Sequence, residues 1–151
     1  MKIFTDTSFL CALYRKQDNT QLALDIAGLQ IEPLIVSELV LFEVRQSARL
    51  QVFNFNHDRT KGFPAGESQR LLEKLALNIQ SGVLVTAEVD WRQVHRLAEK
   101  LSEQHTVSDG HRTMDVLHVA TALQVKATHL YTFDENQARL AKKVGLKINL
   151  K

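Results

Sequence analysis

The chain has 151 residues, 44% of them hydrophobic, and a formal charge of +2, enough length and apolar content for one domain over residues 1–151 without disulfides or a structural metal. Its one cysteine, Cys11, excludes an intrachain disulfide and a cysteine-based zinc cluster. There is no run of 18 apolar residues and no leader pattern before Asp6, so the expectation is a soluble cytoplasmic protein without membrane association, and the slight basic excess permits a polyanionic partner without requiring one.

In chain order, short apolar runs alternate with longer helical patterns, which predicts an α/β fold with a mainly parallel sheet and helices on both faces. The first strand, 2–5, runs into Asp6-Thr7-Ser8, whose side-chain oxygens suit the N-terminus of the next helix. A second strand at 33–36 precedes "SELVLFEVRQSARL", a helix beginning near Ser37. The polar stretch "NFNHDRTKGFPAGE" (54–67), with Pro64 and two glycines, reads as a surface loop, either a flap over a site or a plain insertion. Leu71, Leu72, Leu75, Ala76 and Ile79 mark a helix closed by Gly82, and 83–85 is the third strand. Trp91, Val94, Leu97, Ala98 and Leu101 form one stripe of a helix opened by the capping box Asp90–Gln93. After the helical "HRTMDVLHVATALQVKA" come strands at 129–133 and 146–150, separated by a helix that Asp134-Glu135-Asn136-Gln137 would cap.

Four of the seventeen acids stand at strand ends or on apolar helix faces. Asp6 and Asp134 each follow a strand, at the edge where open α/β sheets form ligand sites, although each also reads as a helix cap. Glu43 lies along a face with Leu39, Val40 and Ser47, and Asp115 shares a face with His118, Val119, Ala122 and Leu123. A buried carboxylate needs a partner, a proton or a metal. Arg112, three residues before Asp115, offers an ion pair as the alternative to metal. Glu38, in a first helical turn, is explained by the helix dipole. If the four acids converge, their repulsion calls for cations, and oxygen-only ligation suits Mg²⁺ or Mn²⁺ over zinc. His118 reads as a packed histidine rather than a ligand, and Ser8 as a cap or an accessory hydroxyl.

In "DTS", "LFEVRQ", "RTMDVLHVATAL" and "LYTFDENQARLAKKVGL", taken in this order and spacing, the chain resembles the PIN-domain family, and within it the VapC-like ribonuclease toxins. The resemblance implies a three-layer α/β/α sandwich with a central parallel sheet of five strands. It also implies an acidic pocket of Asp6, Glu43, Asp115 and Asp134 that binds Mg²⁺ or Mn²⁺ and hydrolyses RNA phosphodiesters, with Ser8 and Arg112 as accessory residues. A homodimer silenced by an antitoxin protein is implied as well. Many relatives carry an acid three positions beyond the one matching Asp134, where this chain has Gln137, which leaves the fourth ligand and a second metal open.

Arg45 and Arg49, one and two turns beyond Glu43, and Arg59 and Lys61 in the polar loop are candidate grips for an RNA backbone. Two other classes compete. A phosphoryl-transfer domain using Asp6 as nucleophile lacks the second acid at position 8, which is serine, and a non-catalytic RNA- or protein-binding module would not need all four acids.

Overall fold

The computed structural model describes residues 1–148. Its strands are β1 (Ile3–Thr5), β2 (Leu34–Val36), β3 (Leu84–Thr86), β4 (His129–Tyr131) and β5 (Lys147–Ile148), all parallel in the order β3-β2-β1-β4-β5. Relative to the sequence reading, β3 begins one residue later and β4 ends two residues earlier, which releases Thr132 and Phe133 into the turn beyond the sheet. The expected continuation of β5 to Leu150 lies outside the described residues.

Helices α1 (Thr7–Tyr14), α2 (Thr20–Gly28), α3 (Glu38–His57) and α4 (Ala65–Gln80) occupy the crossovers from β1 to β3. Between β3 and β4 come α5 (Trp91–Leu101), a π-helical turn (Ser102–Thr106), α6 (Val107–Asp109) and α7 (Thr113–Gln124), and α8 (Glu135–Lys143) joins β4 to β5. Right-handed crossovers running one way from β1 and then back past it put the first group on one face and the second on the other. The packing follows this division, with α1 against α2 and α3, α3 against α4, and α7 against α5 and α8. Strands of two or three residues carry little ladder of their own, so the sheet depends on the helices that cover it. Ile3, Phe4, Val36 and Leu130 are sealed between Phe9, Val40 and Leu75 from the first helical group and Val94, Val119 and Leu140 from the second. Among the described residues no helix is long and apolar enough to cross a membrane.

The expected loop at 54–67 is largely helical. Asn54, Phe55, Asn56 and His57 complete α3, α4 begins at Ala65, and only 58–64 connect them. This connection is pinned to α3: the Asp58 amide donates to the Asn54 carbonyl at 2.8 Å, the Phe63 amide to Gln51 at 3.3 Å, and Arg59 stacks on Phe55 at 4.5 Å. It is a tight helix–helix corner rather than a flap. Gly62 makes the corner possible, with φ of +66° and a position where a Cβ would lie 2.0 Å from the Gln51 carbonyl oxygen. Gly62→Ala is therefore expected to lower stability by about 1–3 kcal/mol, read as a fall in the urea midpoint at unchanged m-value.

Candidate active site

The sheet changes direction at β1: β2 and β3 extend to one side of it, and β4 and β5 to the other. Open α/β sheets form ligand sites outside the carboxyl ends of the strands at such a reversal. A cavity of about 730 Å³ opens there, and its walls include Asp6, Glu43, Asp115 and Asp134 together with Ser8 and Arg112. The four acids come from β1's end, α3, α7 and β4's end, and the fold brings all of them to one place.

Asp6 is 2% exposed and does two jobs at once. Its Oδ1 accepts from the Phe9 amide at 2.9 Å, so it caps α1 itself and does not pass that role to Thr7 or Ser8. Its Oδ2 accepts from Thr132 at 2.8 Å, and the Ser8 hydroxyl stands 2.8 Å from both oxygens. Burial pushes its pKa above the ordinary aspartate value, outweighing the lowering by these donors and by the His118 charge. Ser8 also accepts from the Phe133 amide at 2.8 Å, joining the start of α1 to the turn after β4.

Glu43 reaches across the sheet edge from one helical layer to the other. Its Oε2 accepts from Thr7 at 2.6 Å and stands 2.6 Å from His118 Nε2 on α7. Partial burial works against its charge, but the His118 hydrogen bond and charge and the Thr7 hydroxyl outweigh it, leaving its pKa below the ordinary glutamate value. Neither partner's role was legible in the sequence: Thr7 looked like a cap residue, and His118 looked like packing.

Asp115, 3% exposed, caps α7 by accepting from the Arg112 amide at 3.0 Å, and its carboxylate also meets the Arg112 guanidinium at 3.1 and 3.3 Å. Arg112 Nη2 continues to Asp134 Oδ2 at 2.7 Å, so one guanidinium bridges two acids. The ion-pair alternative for Asp115 is thus present in the structure. Asn136 donates to Asp115 at 3.2 Å, a contact across α7 and α8 with no signal in the sequence. Asp134 caps α8 through the Gln137 amide at 3.0 Å, as its capping pattern predicts. The Gln137 side chain lines the cavity and is almost fully buried, and its Oε1 has no hydrogen-bond partner among the described residues.

The other cations expected near the site stand elsewhere. Arg45 and Arg49 are two and six residues beyond Glu43, about 200° and 240° around the helix, so neither lines the cavity. Arg45 lies 4.0 Å from Glu38, Arg49 borders a groove between α3 and α4, Arg59 covers Phe55, and Lys61 pairs with Asp58 at 3.3 Å. Arg15, which sequence reasoning passed over, is on the cavity wall, with Nη1 3.4 Å from the Ser47 hydroxyl.

The PIN domain family profile matches residues 3–143. The chain belongs to the PIN-domain family. Solved PIN-like folds similar to it include FitAcB from Neisseria gonorrhoeae, 18% identical over 97% of this chain and 95% of that one, with a TM-score of 0.65. VapBC2 from Rickettsia felis, solved bound to a DNA fragment from its promoter, is 15% identical over 99% and 98%, also at 0.65. VapC20 from Mycobacterium tuberculosis, described as a Sarcin-Ricin loop cleaving toxin, is 19% identical over 91% and 94%, at 0.59. A search of curated protein sequences finds no match.

PIN domains are nucleases that generally use divalent metals. Among the described residues, no three His, Cys, Asp or Glu side chains form a ready metal cluster. Each acid of this PIN domain is instead turned toward its own donors. The donor set nevertheless fits a hard cation. A carboxylate has about four acceptor sites, and Asp6 meets three donors, because the single Ser8 proton serves only one of its oxygens at a time. Glu43 Oε1 accepts from no group among the described residues, since both of its partners use Oε2.

The two shifted acids have opposite linkage. Asp6, with its raised folded pKa, withdraws stability as pH rises from the unfolded aspartate value through the folded one. Glu43, with its lowered pKa, contributes stability above its unfolded value and loses it as pH falls through the folded one. Asp6→Asn keeps an acceptor for Phe9 and removes the titrating charge, but its amide nitrogen cannot accept from Thr132 and Ser8. In chelator, its Tm relative to wild type is therefore expected to be lowest near about pH 4 and to improve as pH rises through the folded Asp6 value, with about 2–4 °C corresponding to 1 kcal/mol, as followed by calorimetry across pH.

Proposed function

We propose that the protein is a metal-dependent endoribonuclease, the toxin of a toxin–antitoxin pair. One observation carries this reading: four acids from four distant segments line a single cavity at the switch point of a PIN-domain sheet. Toxins and toxin-containing complexes among the similar folds support it.

Asp6, Glu43, Asp115 and Asp134 would hold Mg²⁺ or Mn²⁺. When bound, such a cation lowers the pKa of its water to supply the nucleophile and neutralises charge on the phosphate. Thr7 and His118 hold Glu43, and Ser8 and Thr132 hold Asp6, at the cavity wall, and a cation would draw on the acceptor sites that these donors leave open. Arg112 and Arg15 present guanidiniums to the phosphodiester at the cavity wall. A phosphoryl-transfer reading with Asp6 as nucleophile is disfavoured, because a carboxylate this buried and held by three donors has no line of attack on a phosphorus atom.

The partners in this reading are RNA, a cognate antitoxin and a second copy of the chain, in the cytoplasm. Phe42, Leu50 and Phe53 are exposed within about 80° of arc on α3, an apolar strip suited to a protein partner. Arg49 falls within about 20° of Phe42 on that strip, which favours a protein-facing role for it over a grip on RNA. A short reading frame for a DNA-binding protein immediately upstream of the gene is the corresponding genomic expectation.

On defined RNAs with Mg²⁺ or Mn²⁺, wild type should cleave, chelator should abolish cleavage, and Asp6→Asn and Asp115→Asn should each lose about 100-fold or more. Cleavage at equal rates by identically purified wild type and both variants would mean a contaminating nuclease and end this assignment.

A further inference from the structure

Two of the four cavity acids already share a cation. Arg112 meets Asp115 through Nε at 3.1 Å and through Nη2 at 3.3 Å, and the same Nη2 meets Asp134 at 2.7 Å. Its side chain is 69% exposed, and Nη1 makes no hydrogen bond among the described residues, so donors remain for a ligand on the open side. Asp115 meets four donors, three of them from Arg112, whereas among the described residues Asp6 meets three, Asp134 two, and Glu43 two, both on Oε2.

Gln137 is the second observation. It follows Asp134 by three residues on α8, is 3% exposed, and lines the cavity with an unpartnered Oε1. A carboxylate at this position would make a fifth acid. The amide adds an oxygen donor but no charge. Four carboxylates, Asp6, Glu43, Asp115 and Asp134, share the cavity wall with two guanidiniums, Arg112 and Arg15, which already offset part of the charge that bound cations would otherwise balance.

We propose that this site holds a single divalent cation, and that Arg112, bridging Asp115 and Asp134 beside the neutral Gln137, takes the electrostatic role of a second ion. In two-ion phosphodiesterases the second cation stabilises one of the two oxygens exchanged at phosphorus. A guanidinium offers a permanent positive charge and paired donors for a phosphate oxygen, and it does not dissociate. The unpartnered Gln137 oxygen accepts from a water of the single ion's shell. This inference rests on the metal-dependent reading above and adds the number of ions.

The test is Mn²⁺ binding to the metal-free full chain without RNA, followed by loss of the free-ion signal in electron paramagnetic resonance and by calorimetry. Wild type should bind one Mn²⁺ through the millimolar range, and R112K, which keeps the positive charge, should also bind one. The double variant R112A/Q137E, checked for native fold by circular dichroism, should bind two. If that variant does not fold, R112Q alone decides the matter and is expected to admit a second, weaker ion. Two ions in wild type would overturn the proposal, as would a single ion in every folded variant that lacks the Arg112 charge. No Mn²⁺ in wild type would overturn the metal-dependent reading as well, whereas one ion throughout would sink the arginine substitution alone.

Discussion

A carboxylate removed from water must be surrounded by donors or it will not stay charged, and the carboxyl edge of this sheet is organised around that requirement at Asp6. The three donors come from two places in the fold: the Phe9 amide and the Ser8 hydroxyl from the start of α1, and Thr132 from the turn after β4. The Asp6 amide in turn donates to the Tyr131 carbonyl at 3.1 Å, so the residue is held on its main-chain side by β4 and on its side-chain side by the turn that follows it. The adjacent central strands are therefore stapled where their helices depart, and that staple forms the floor of the cavity. The Glu43–His118 pair spans the same edge from above, linking the two helical layers.

The same partnerships explain how a protein can keep four acids in one cavity and still fold. Asp6 uses neutral donors, Glu43 uses a hydroxyl and an imidazole, and Asp115 and Asp134 share one guanidinium. Repulsion is dispersed among local contacts rather than concentrated at one point, and part of each acid's acceptor capacity is spent inside the chain. A site of this kind is stable before it meets a ligand, and a bound cation competes with contacts that already exist.

Much of this architecture was legible because it is local. A strand followed at once by Asp and then a helix marks the carboxyl edge at Asp6 and again at Asp134, and the same side chains turn out to be both caps and cavity walls. Acids on apolar helix faces, Glu43 and Asp115, pointed to the interior because helical period is a reliable guide to facing. What escaped was set by tertiary contacts. Thr7 and His118 meet Glu43 only once crossovers have placed three elements side by side. Residues 54–57 looked polar enough for a loop, yet they continue α3 because the corner at Gly62 and Phe63 folds back onto Gln51. Arg45 and Arg49 were assigned by distance along the helix without regard to angle around it, and they project away from the cavity.

The hydrogen bond between Thr132 and Asp6 joins residues 126 apart in sequence. At a synthesis rate of about 5–20 residues per second, roughly 6–25 s separate the appearance of the first of these residues from the second. Throughout that interval Asp6 lacks its Thr132 donor and β1 has no neighbour on one side, and Arg112, added late in it, is still without Asp134. Long-range parallel pairing of this kind is also slow to form once the chain is complete. The acidic cavity therefore cannot be assembled before Thr132 and Asp134 have been added, and the β4 turn sets the earliest moment at which that cavity exists.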